Sequence, residues 1–419
     1  MIQKINFFLL AILFTVAVAC SKKDQVNYIP VNANEISIGA LVSLSGDGSS
    51  TGQSTAIALN LARLDILEYF TALGRKETVN LIIADTKTDS AEALKQLKIF
   101  YEKGIRLIIG PYSSTELLAL KDFADTHGML IVSPSSTAVS FAIPDDNIFR
   151  FVSGDVIQGE AMNKMLTDDK VKVIVPFIRD DLWGNDLLAS TRKNFIKSGG
   201  EVLSPVKYTP GTTDFSGSLY DLDVAVGLEL GQHNPNEVAV YMLSFAEGSS
   251  IMAEAKNYTH LNNVYWYGGS AFAGNPSVLG DTNAALFAYT HGLPCPIYGL
   301  DDAAKDKWQP LKARIQALIG RAPDIYALTA YDALWVGTLA CSSAGYNPDI
   351  SLLKTAFTKV SENFSGVTGS TRLDENGDRA IGNYDFWAVK SDTTDTSGYT
   401  WKRIAKYNSV TGALARVNE

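Results

Sequence analysis

Residues 36–42, ISIGALV, form a short apolar run rich in β-branched side chains, and they lead directly into a loop of glycine and hydroxyl residues, 43–52. Beyond the loop, apolar side chains recur at steps of four and three residues, at Ile57, Leu61, Leu64 and Leu67. This spacing is typical of an amphipathic helix, whereas the continuous apolar run is typical of a buried strand. The stretch therefore predicts a strand, a polar loop and a helix, the unit from which parallel α/β sheets are built.

The same unit recurs along the chain. In the first third, short apolar strands are predicted at 81–84, 107–110 and 129–132, and helices at 91–103 and 115–127. After residue 170 the alternation restarts, with strands predicted at 171–177, 238–243 and 264–267, helices at 185–197 and 250–258, and three further helices at 305–318, 325–341 and 351–364. Two successive α/β units predict two lobes, because a TIM barrel would need eight evenly repeated units.

The composition is that of a globular protein. Hydrophobic residues make up 46% and charged residues 19% of the 419 positions, and the net charge is −9. An acidic surface repels phosphate backbones, which argues against nucleic-acid binding. Of the three cysteines, Cys295 and Cys341 are too few for a disulfide framework, so we expect both to be buried as small hydrophobic side chains.

The first 20 residues have the pattern of an export signal. Lys4 precedes 14 uncharged residues, 5–18, which are fewer than the roughly 20 that a membrane-spanning helix needs. The following AVAC sequence resembles the lipobox of bacterial lipoproteins, which implies that Cys20 becomes lipidated and that 21–34 form a polar tether. The alternative is an ordinary cleaved signal peptide with a stray cysteine.

Two hydroxyl-rich turns follow neighbouring strands of the first predicted sheet. Ser113 and Glu116 have the spacing of a helix capping box, and residues 133–137, SPSST, follow the next strand. Because parallel strands end at the same edge of a sheet, the two turns should converge on one crevice. Free N–H groups at a helix N-terminus favour an anion there.

Other motifs point away from catalysis, nucleotides and metals. The loop 46–52 lacks the G-x-G-x-x-G spacing, and residues 374–378 lack the calcium-loop spacing, so we expect a β-hairpin turn there. The four histidines are scattered, no serine lies in G-x-S-x-G, and Asp180-Asp181 reads as a solvated turn. We expect no enzyme activity, no cofactor and no metal.

Several segments, spread from residue 36 to about 380, resemble type I periplasmic binding proteins, above all the leucine/isoleucine/valine-binding branch that serves ABC importers. The similar segments are 36–41 with 44–46 and 52–53, 109–114, 133–137, 181–184, 213–216, 366–369 and 374–378. The resemblance implies two Rossmann-like lobes with parallel-sheet cores, joined by a three-strand hinge and closing on a ligand like a Venus flytrap. It also implies that 35–155 and 298–385 form the N-terminal lobe, and that 156–297 and 386–419 form the C-terminal lobe.

The resemblance further implies which residues contact the ligand. The two serine-rich turns would hold a ligand carboxylate, and the second lobe would add an aromatic wall. The positions concerned are Ser113, Ser114, Ser135, Ser136 and Thr137 on the turns, Trp183, Ser244 and Phe245 on the second lobe, and Thr51, where relatives often have an aromatic side chain.

At one position the chain departs from the amino-acid binders of this branch. Ser270 stands where they carry a carboxylate for the ligand ammonium, and a buried ammonium without a counter-charge is costly. Either Glu247 or Asp181 substitutes, or the ligand is not a standard amino acid.

Three functions remain open at this stage. The first is a binding protein, lipid-anchored in a bacterial cell envelope, that delivers an amino acid or a related carboxylate or amide to the membrane permease of an ABC importer. The second is a ligand sensor that signals to a membrane partner through the same bilobed module. The third, a minor alternative, is an envelope enzyme, because a fold does not fix a function.

Overall fold

The computed structural model describes residues 34–417, except 347 and 396. The predicted signal peptide, the lipidation site Cys20 and nearly all of the predicted tether lie outside these residues. Within the described part of the chain, no helix is both long and apolar enough to cross a membrane.

Strands and helices alternate through most of the chain. The strands are β1 Glu35–Val42, β2 Thr78–Asp85, β3 Leu107–Ile109, β4 Leu130–Ser133, β5 Ile148–Arg150, β6 Val173–Arg179, β7 Glu201–Val202, β8 Val206–Tyr208, β9 Val238–Leu243, β10 Tyr265–Gly268, β11 Cys295–Tyr298, β12 Ser365–Gly366, β13 Gly369–Ser370, β14 Tyr384–Ser391, β15 Tyr399–Asn408 and β16 Ala413–Arg416. The α-helices are α1 Ser49–Ala72, α2 Ser90–Glu102, α3 Ser114–His127, α4 Asp155–Asp168, α5 Leu182–Lys197, α6 Ser216–Leu230, α7 Gly248–Ala255, α8 Pro276–Gly280, α9 Thr282–His291, α10 Lys305–Ile319, α11 Ile325–Ala344 and α12 Ile350–Asn363.

Two parallel sheets form the cores of two lobes, as predicted. The first has the order β2-β1-β3-β4-β5, and the second has the order β10-β9-β6-β7, with β8 also paired to β6. In the first sheet β1 lies between β2 and β3, and in the second sheet β6 lies between β7 and β9, so both have the doubly wound arrangement. Both sheets have helices on their faces, so their strands are continuously apolar: every residue of β3, β4, β6 and β9 is buried.

The three late helices return to the first lobe, where α10 packs against α1 and α11. Helix α11 packs against α1, β1 and β3, and α12 packs against α11 and β4. This packing explains why α11 is apolar on nearly all sides and breaks the alternation of strand and helix.

A third, antiparallel sheet has the order β11-β14-β15-β16 and was not predicted. The sequence predicts no strand in any of these segments, although β14 and β15 have 8 and 10 residues. The chain leaves the second sheet through β11, returns to the first lobe with α10, and enters the antiparallel sheet again at β14. The predicted residue limits of the two lobes stay a prediction.

Two smaller expectations are confirmed. Cys295 and Cys341 are buried and free. Residues 374–378 form a tight turn, in which the Asp374 N–H donates to the Asp378 carbonyl at 2.7 Å, and Leu373 and Arg379 pair as an antiparallel bridge.

Candidate functional site

The carboxyl ends of six strands meet at a cleft between the two lobes. The predicted site residues all follow these ends: Thr51 after β1, Ser113 and Ser114 after β3, Ser135, Ser136 and Thr137 after β4, Trp183 after β6, Ser244 and Phe245 after β9, and Ser270 after β10. Ligands of open α/β sheets bind at this edge, because the loops there carry free polar groups.

A small cavity of about 20 Å³ marks the centre of the cleft. Most of the predicted residues line it, together with Tyr112, Ala271 and Tyr326; the predicted ones are Ser113, Ser114, Ser135, Thr137, Trp183, Phe245 and Ser270. Thr51 lines an adjoining small cavity with Ser270 and Tyr326. Ser136 and Ser244 are buried but do not line the central cavity.

The first turn combines capping with an open helix end. Ser113 accepts a hydrogen bond from the Glu116 N–H, and the Glu116 carboxylate accepts one from the Ser113 N–H at 2.9 Å, so the predicted capping box is present. The Ser114 hydroxyl lies 2.8 Å from the Ser136 hydroxyl. Ser113 therefore holds the helix, while Ser114, also on the cavity wall, is the better placed of the two to meet a ligand.

The second turn, residues 133–137, is held in place by hydrogen bonds to the first turn and to α11. The Ser133 hydroxyl donates to the Pro111 carbonyl at 2.9 Å, the Ser135 hydroxyl donates to the Tyr112 carbonyl at 2.7 Å, and Thr329 of α11 donates to the Pro134 carbonyl at 2.8 Å. These bonds tie the two turns to each other. The hydroxyl-rich wall is thus formed before any ligand arrives.

Close approach of the backbone explains two glycines at this edge. Gly110 follows β3 with φ +114°, and a Cβ there would lie 2.1 Å from the Leu41 carbonyl oxygen. A Cβ on Gly52 of α1 would lie 1.8 Å from the Ser43 carbonyl oxygen. Only glycine lets the loop and the helix pack this tightly against β1.

The opposite wall is aromatic. Phe245 lies between Trp183, at a ring distance of 5.2 Å, and Tyr112 of the first lobe, at 5.5 Å. The Arg179 guanidinium stacks over the Phe245 ring at 4.1 Å. A ligand in the cavity therefore contacts ring faces on the second lobe and hydroxyl groups on the first.

Arg179 pairs with Asp181 and Glu247, the two acids predicted from the sequence as substitutes for a carboxylate at position 270. It pairs with Asp181 at 2.6 Å and with Glu247 at 2.8 Å, and only 5% of it is exposed. Burial alone would lower the pKa of Arg179, but the two carboxylates raise it above its ordinary value. Asp181 also caps α5 through the Gly184 N–H, so its interpretation as part of a solvated turn was wrong.

Contacts across the cleft hold the lobes close together. The Asp47 carboxylate of the first lobe lies 3.2 Å from Arg179, and Asp186 of α5 accepts hydrogen bonds from the Ser140 N–H and hydroxyl at 2.9 and 2.8 Å. Two polar contacts therefore join the lobes in addition to the ring contact of Tyr112 with Phe245.

Asp155 is the acid that sequence reasoning missed. It is the first residue of α4, its backbone N–H donates to the Thr137 carbonyl at 2.8 Å, and its side chain is fully buried. Within the described chain, neither carboxylate oxygen has a hydrogen-bond partner. Burial raises the pKa of Asp155 to about 7, although the Thr137 hydroxyl and Arg150 oppose the shift.

Different signals could have revealed the missed residues. Tyr112 lies inside the segment 109–114 that carries the resemblance. Asp155 is the only charged residue between Arg150 and Glu160, a weak signal for a special position. Tyr326 reaches the cleft from a distant helix, and nothing in the local sequence indicates that.

Comparison with known proteins fits this geometry. A family model described as periplasmic binding protein matches residues 35–394. The chain belongs to this family. It is 27% identical to an uncharacterized protein of Methanocaldococcus jannaschii over 91% of each chain, and 24% identical to a Leu/Ile/Val-binding protein homolog of Brucella melitensis over 84% of this chain and 91% of that one.

A solved structure confirms the fold of this periplasmic binding protein. The leucine-binding protein LivK of Thermotoga maritima superposes with a TM-score of 0.72 at 22% identity, covering 89% of this chain and 99% of the other. The predicted family, its leucine/isoleucine/valine-binding branch and the two-lobed α/β fold are thus confirmed. Family and fold are those of extracytoplasmic solute-binding proteins.

Proposed function

We propose that this protein captures a small zwitterion, an amino acid or a close relative, between its two lobes and delivers it to the membrane permease of an ABC importer. Lipidation at Cys20, which would hold it at the envelope surface, is part of the proposal. The observation that carries it is the convergence of two hydroxyl-rich turns on one interlobe cleft, next to the buried Asp155, whose carboxylate oxygens accept no hydrogen bond within the described chain.

The first-lobe wall suits a carboxylate. Ser114 and Thr137 present hydroxyl groups to the cavity, and the N-terminus of α3 adds the positive end of a helix dipole. Hydrogen bonds between a charged ligand and neutral donors are worth roughly 1.5–3 kcal/mol each.

Asp155 supplies the negative charge that Ser270 lacks. The hydrogen bond of its backbone N–H to the Thr137 carbonyl places Asp155 beside the carboxylate-binding turn. Tyr326 lines the cavity, and its pKa is raised by burial and further by the nearby charge of Asp155. A ligand ammonium would donate the hydrogen bonds that neither oxygen of this carboxylate receives within the described chain, and it would add to the positive charge of Arg150.

The aromatic wall and the small cavity favour a compact apolar side chain. Relatives described as Leu/Ile/Val-binding and leucine-binding support the same choice. Ligand bridging the lobes shifts the population toward the closed form, which is what a permease would recognise.

A thermal-shift screen tests the proposal, after the protein has been unfolded and refolded to strip any bound molecule. The panel pairs each aliphatic amino acid with its deaminated acid and its amide. A ligand at 100 times its Kd adds about 2.7 kcal/mol of stability. We expect an amino acid to stabilise the protein, its deaminated acid to do so far less, and Asp155→Asn to remove the difference. Equal stabilisation by both members of every pair would reject the role of Asp155, and a flat screen would reject the ligand class.

A further inference from the structure

A second, larger cavity lies between α10, the start of α11 and the antiparallel sheet, and it adjoins the small cavity that Thr51 and Ser270 line. Its volume is about 460 Å³, within the range of small-molecule sites, whereas the central cavity of the cleft measures about 20 Å³. Its walls come from the start of α11, from α10, from the segment after β10 and from the antiparallel sheet. Neither of the two hydroxyl-rich turns contributes to it.

One wall carries an ammonium group with no partner. Lys312 of α10 lines the cavity, and within the described chain its Nζ makes no hydrogen bond or ion pair; it lies 5.7 Å from the centroid of the Trp308 ring. Burial lowers the pKa of Lys312, and Arg403 lowers it further, while Asp385 and Asp324 oppose the shift. A partly buried cation without an acceptor is an anchor for an anion.

The facing sheet carries an acceptor with no donor. Asp385 of β14 is 4% exposed and lines the same cavity; its Oδ2 lies 3.1 Å from the Arg403 guanidinium, but its Oδ1 has no hydrogen-bond partner among the described residues. Other charged groups on the wall are already engaged: Arg321 donates to the Ser50 carbonyl, and Asp324 accepts from the Ser54 hydroxyl at 2.7 Å.

Between these two groups the wall is aromatic. Trp387 of β14, Trp401 of β15 and Tyr298 of β11 all line the cavity. Flat rings bury a planar apolar body at low entropic cost and leave its polar ends to the charged groups.

We propose that this cavity is a second binding site, which takes a small aromatic carboxylate carrying a hydroxyl or amino donor. The carboxylate binds Lys312, the ring lies against Trp387 and Trp401, and the donor meets the free oxygen of Asp385. Because residues of both lobes line the cavity, a molecule bound there also biases the closure of the cleft.

Isothermal titration with para-hydroxyphenylacetate tests the site on the protein already saturated with its cleft ligand or left empty. We expect Lys312→Met to weaken binding at least about ten-fold, and Lys305→Met, an exposed lysine on the same helix, to leave it unchanged. The double variant Ser114→Ala, Thr137→Ala should bind the probe as the wild type does, which separates this site from the cleft.

A second measurement guards against misfolding of the lysine variant. The wild type should prefer para-hydroxyphenylacetate over phenylacetate, and Asp385→Asn should lose part of that preference while keeping its melting temperature within a few degrees. Three results would each overturn the proposal. The first is no heat of binding at millimolar probe, the second is the same affinity in Lys312→Met as in the wild type, and the third is loss of probe binding in the Ser114→Ala, Thr137→Ala variant.

Discussion

The two walls of the cleft use opposite chemistry. The first-lobe wall is neutral and rich in hydroxyl groups, with its turns tied to each other by hydrogen bonds from Ser133 and Ser135. The second-lobe wall is aromatic, and its two acids, Asp181 and Glu247, both pair with Arg179 of the same lobe. The difference teaches that density of charge does not mark the recognition surface. Neutral hydroxyl groups mark it on one wall, and ring faces mark it on the other.

Removing Arg179 should give the largest effect on folding. Arg179→Leu leaves two mostly buried carboxylates without a counter-charge, and breaking a buried pair in this way costs about 3–5 kcal/mol. Urea unfolding measures it. Lys207→Met, which breaks an exposed pair with Asp180 at 2.9 Å, is the control and should cost less than about 1 kcal/mol. Similar losses in both variants would show that the second-lobe wall does not depend on its internal charges.

Asp155→Asn should change the pH dependence of stability in the ligand-free protein. The pKa of Asp155 is raised in the folded state to about 7, so its contribution is complete below its unfolded pKa and is lost as the pH rises through about 7. The variant has no such loss. The free energy of unfolding of the variant, relative to that of the wild type, should therefore increase between pH 4 and pH 8 by on the order of 3 kcal/mol.

Unfolding curves across that pH range measure the gain, with Asp221→Asn, an exposed carboxylate on α6, as the matched control. A difference between Asp155→Asn and wild type that stays constant with pH would mean that Asp155 is not an ionisable buried group.

Ser114→Ala should weaken ligand binding rather than folding. Loss of one hydrogen bond to a charged ligand is expected to raise the free energy of binding by roughly 1–3 kcal/mol. Calorimetry with the amino acid found in the screen measures it. Ser136→Ala, which removes the neighbouring hydroxyl outside the central cavity, should have a smaller effect. A larger loss of binding in Ser136→Ala than in Ser114→Ala would mean that Ser114 is not the hydroxyl group that contacts the ligand.

The smallest effect is expected at Asp47. Its carboxylate is 43% exposed and contacts Arg179 across the cleft, so Asp47→Asn should weaken ligand binding by only about 0.2–1 kcal/mol through a less stable closed form. The effect should shrink with added salt, because an exposed pair is screened. A loss of several kcal/mol would mean that this single contact, and not the ligand, holds the lobes together.

Local patterns were sufficient for the elements that carry the site. The predicted strand 238–243 agrees with β9 at both ends, and the predicted helix 325–341 begins at the first residue of α11. Buried strands and amphipathic helices can be predicted from neighbouring residues, because burial of one or two faces directly determines the spacing of apolar residues. The turns after β3 and β4 were found for the same reason.

Local sequence patterns do not show which charged side chains pair with each other or which strands are neighbours in a sheet. Asp181 and Glu247 were offered as substitutes for the acid at Ser270, and the structure pairs both with Arg179 instead. The pairing of β11 with β14 was missed because it spans about 90 residues, a distance over which hydrophobic period carries no information. The strands β14 and β15 were missed because their buried and exposed residues do not alternate regularly.

By itself, then, the sequence determined the two doubly wound lobes, the hydroxyl-rich edge of the first and the family, since each follows from short runs of neighbouring residues. Tertiary structure alone decided which charged groups remain open. Within the described chain the Asp155 carboxylate accepts no hydrogen bond, whereas Arg179 pairs with three carboxylates, because the availability of a charge depends on groups brought near it by packing. Desolvation and pairing are properties of that assembled surrounding, and no stretch of sequence contains them.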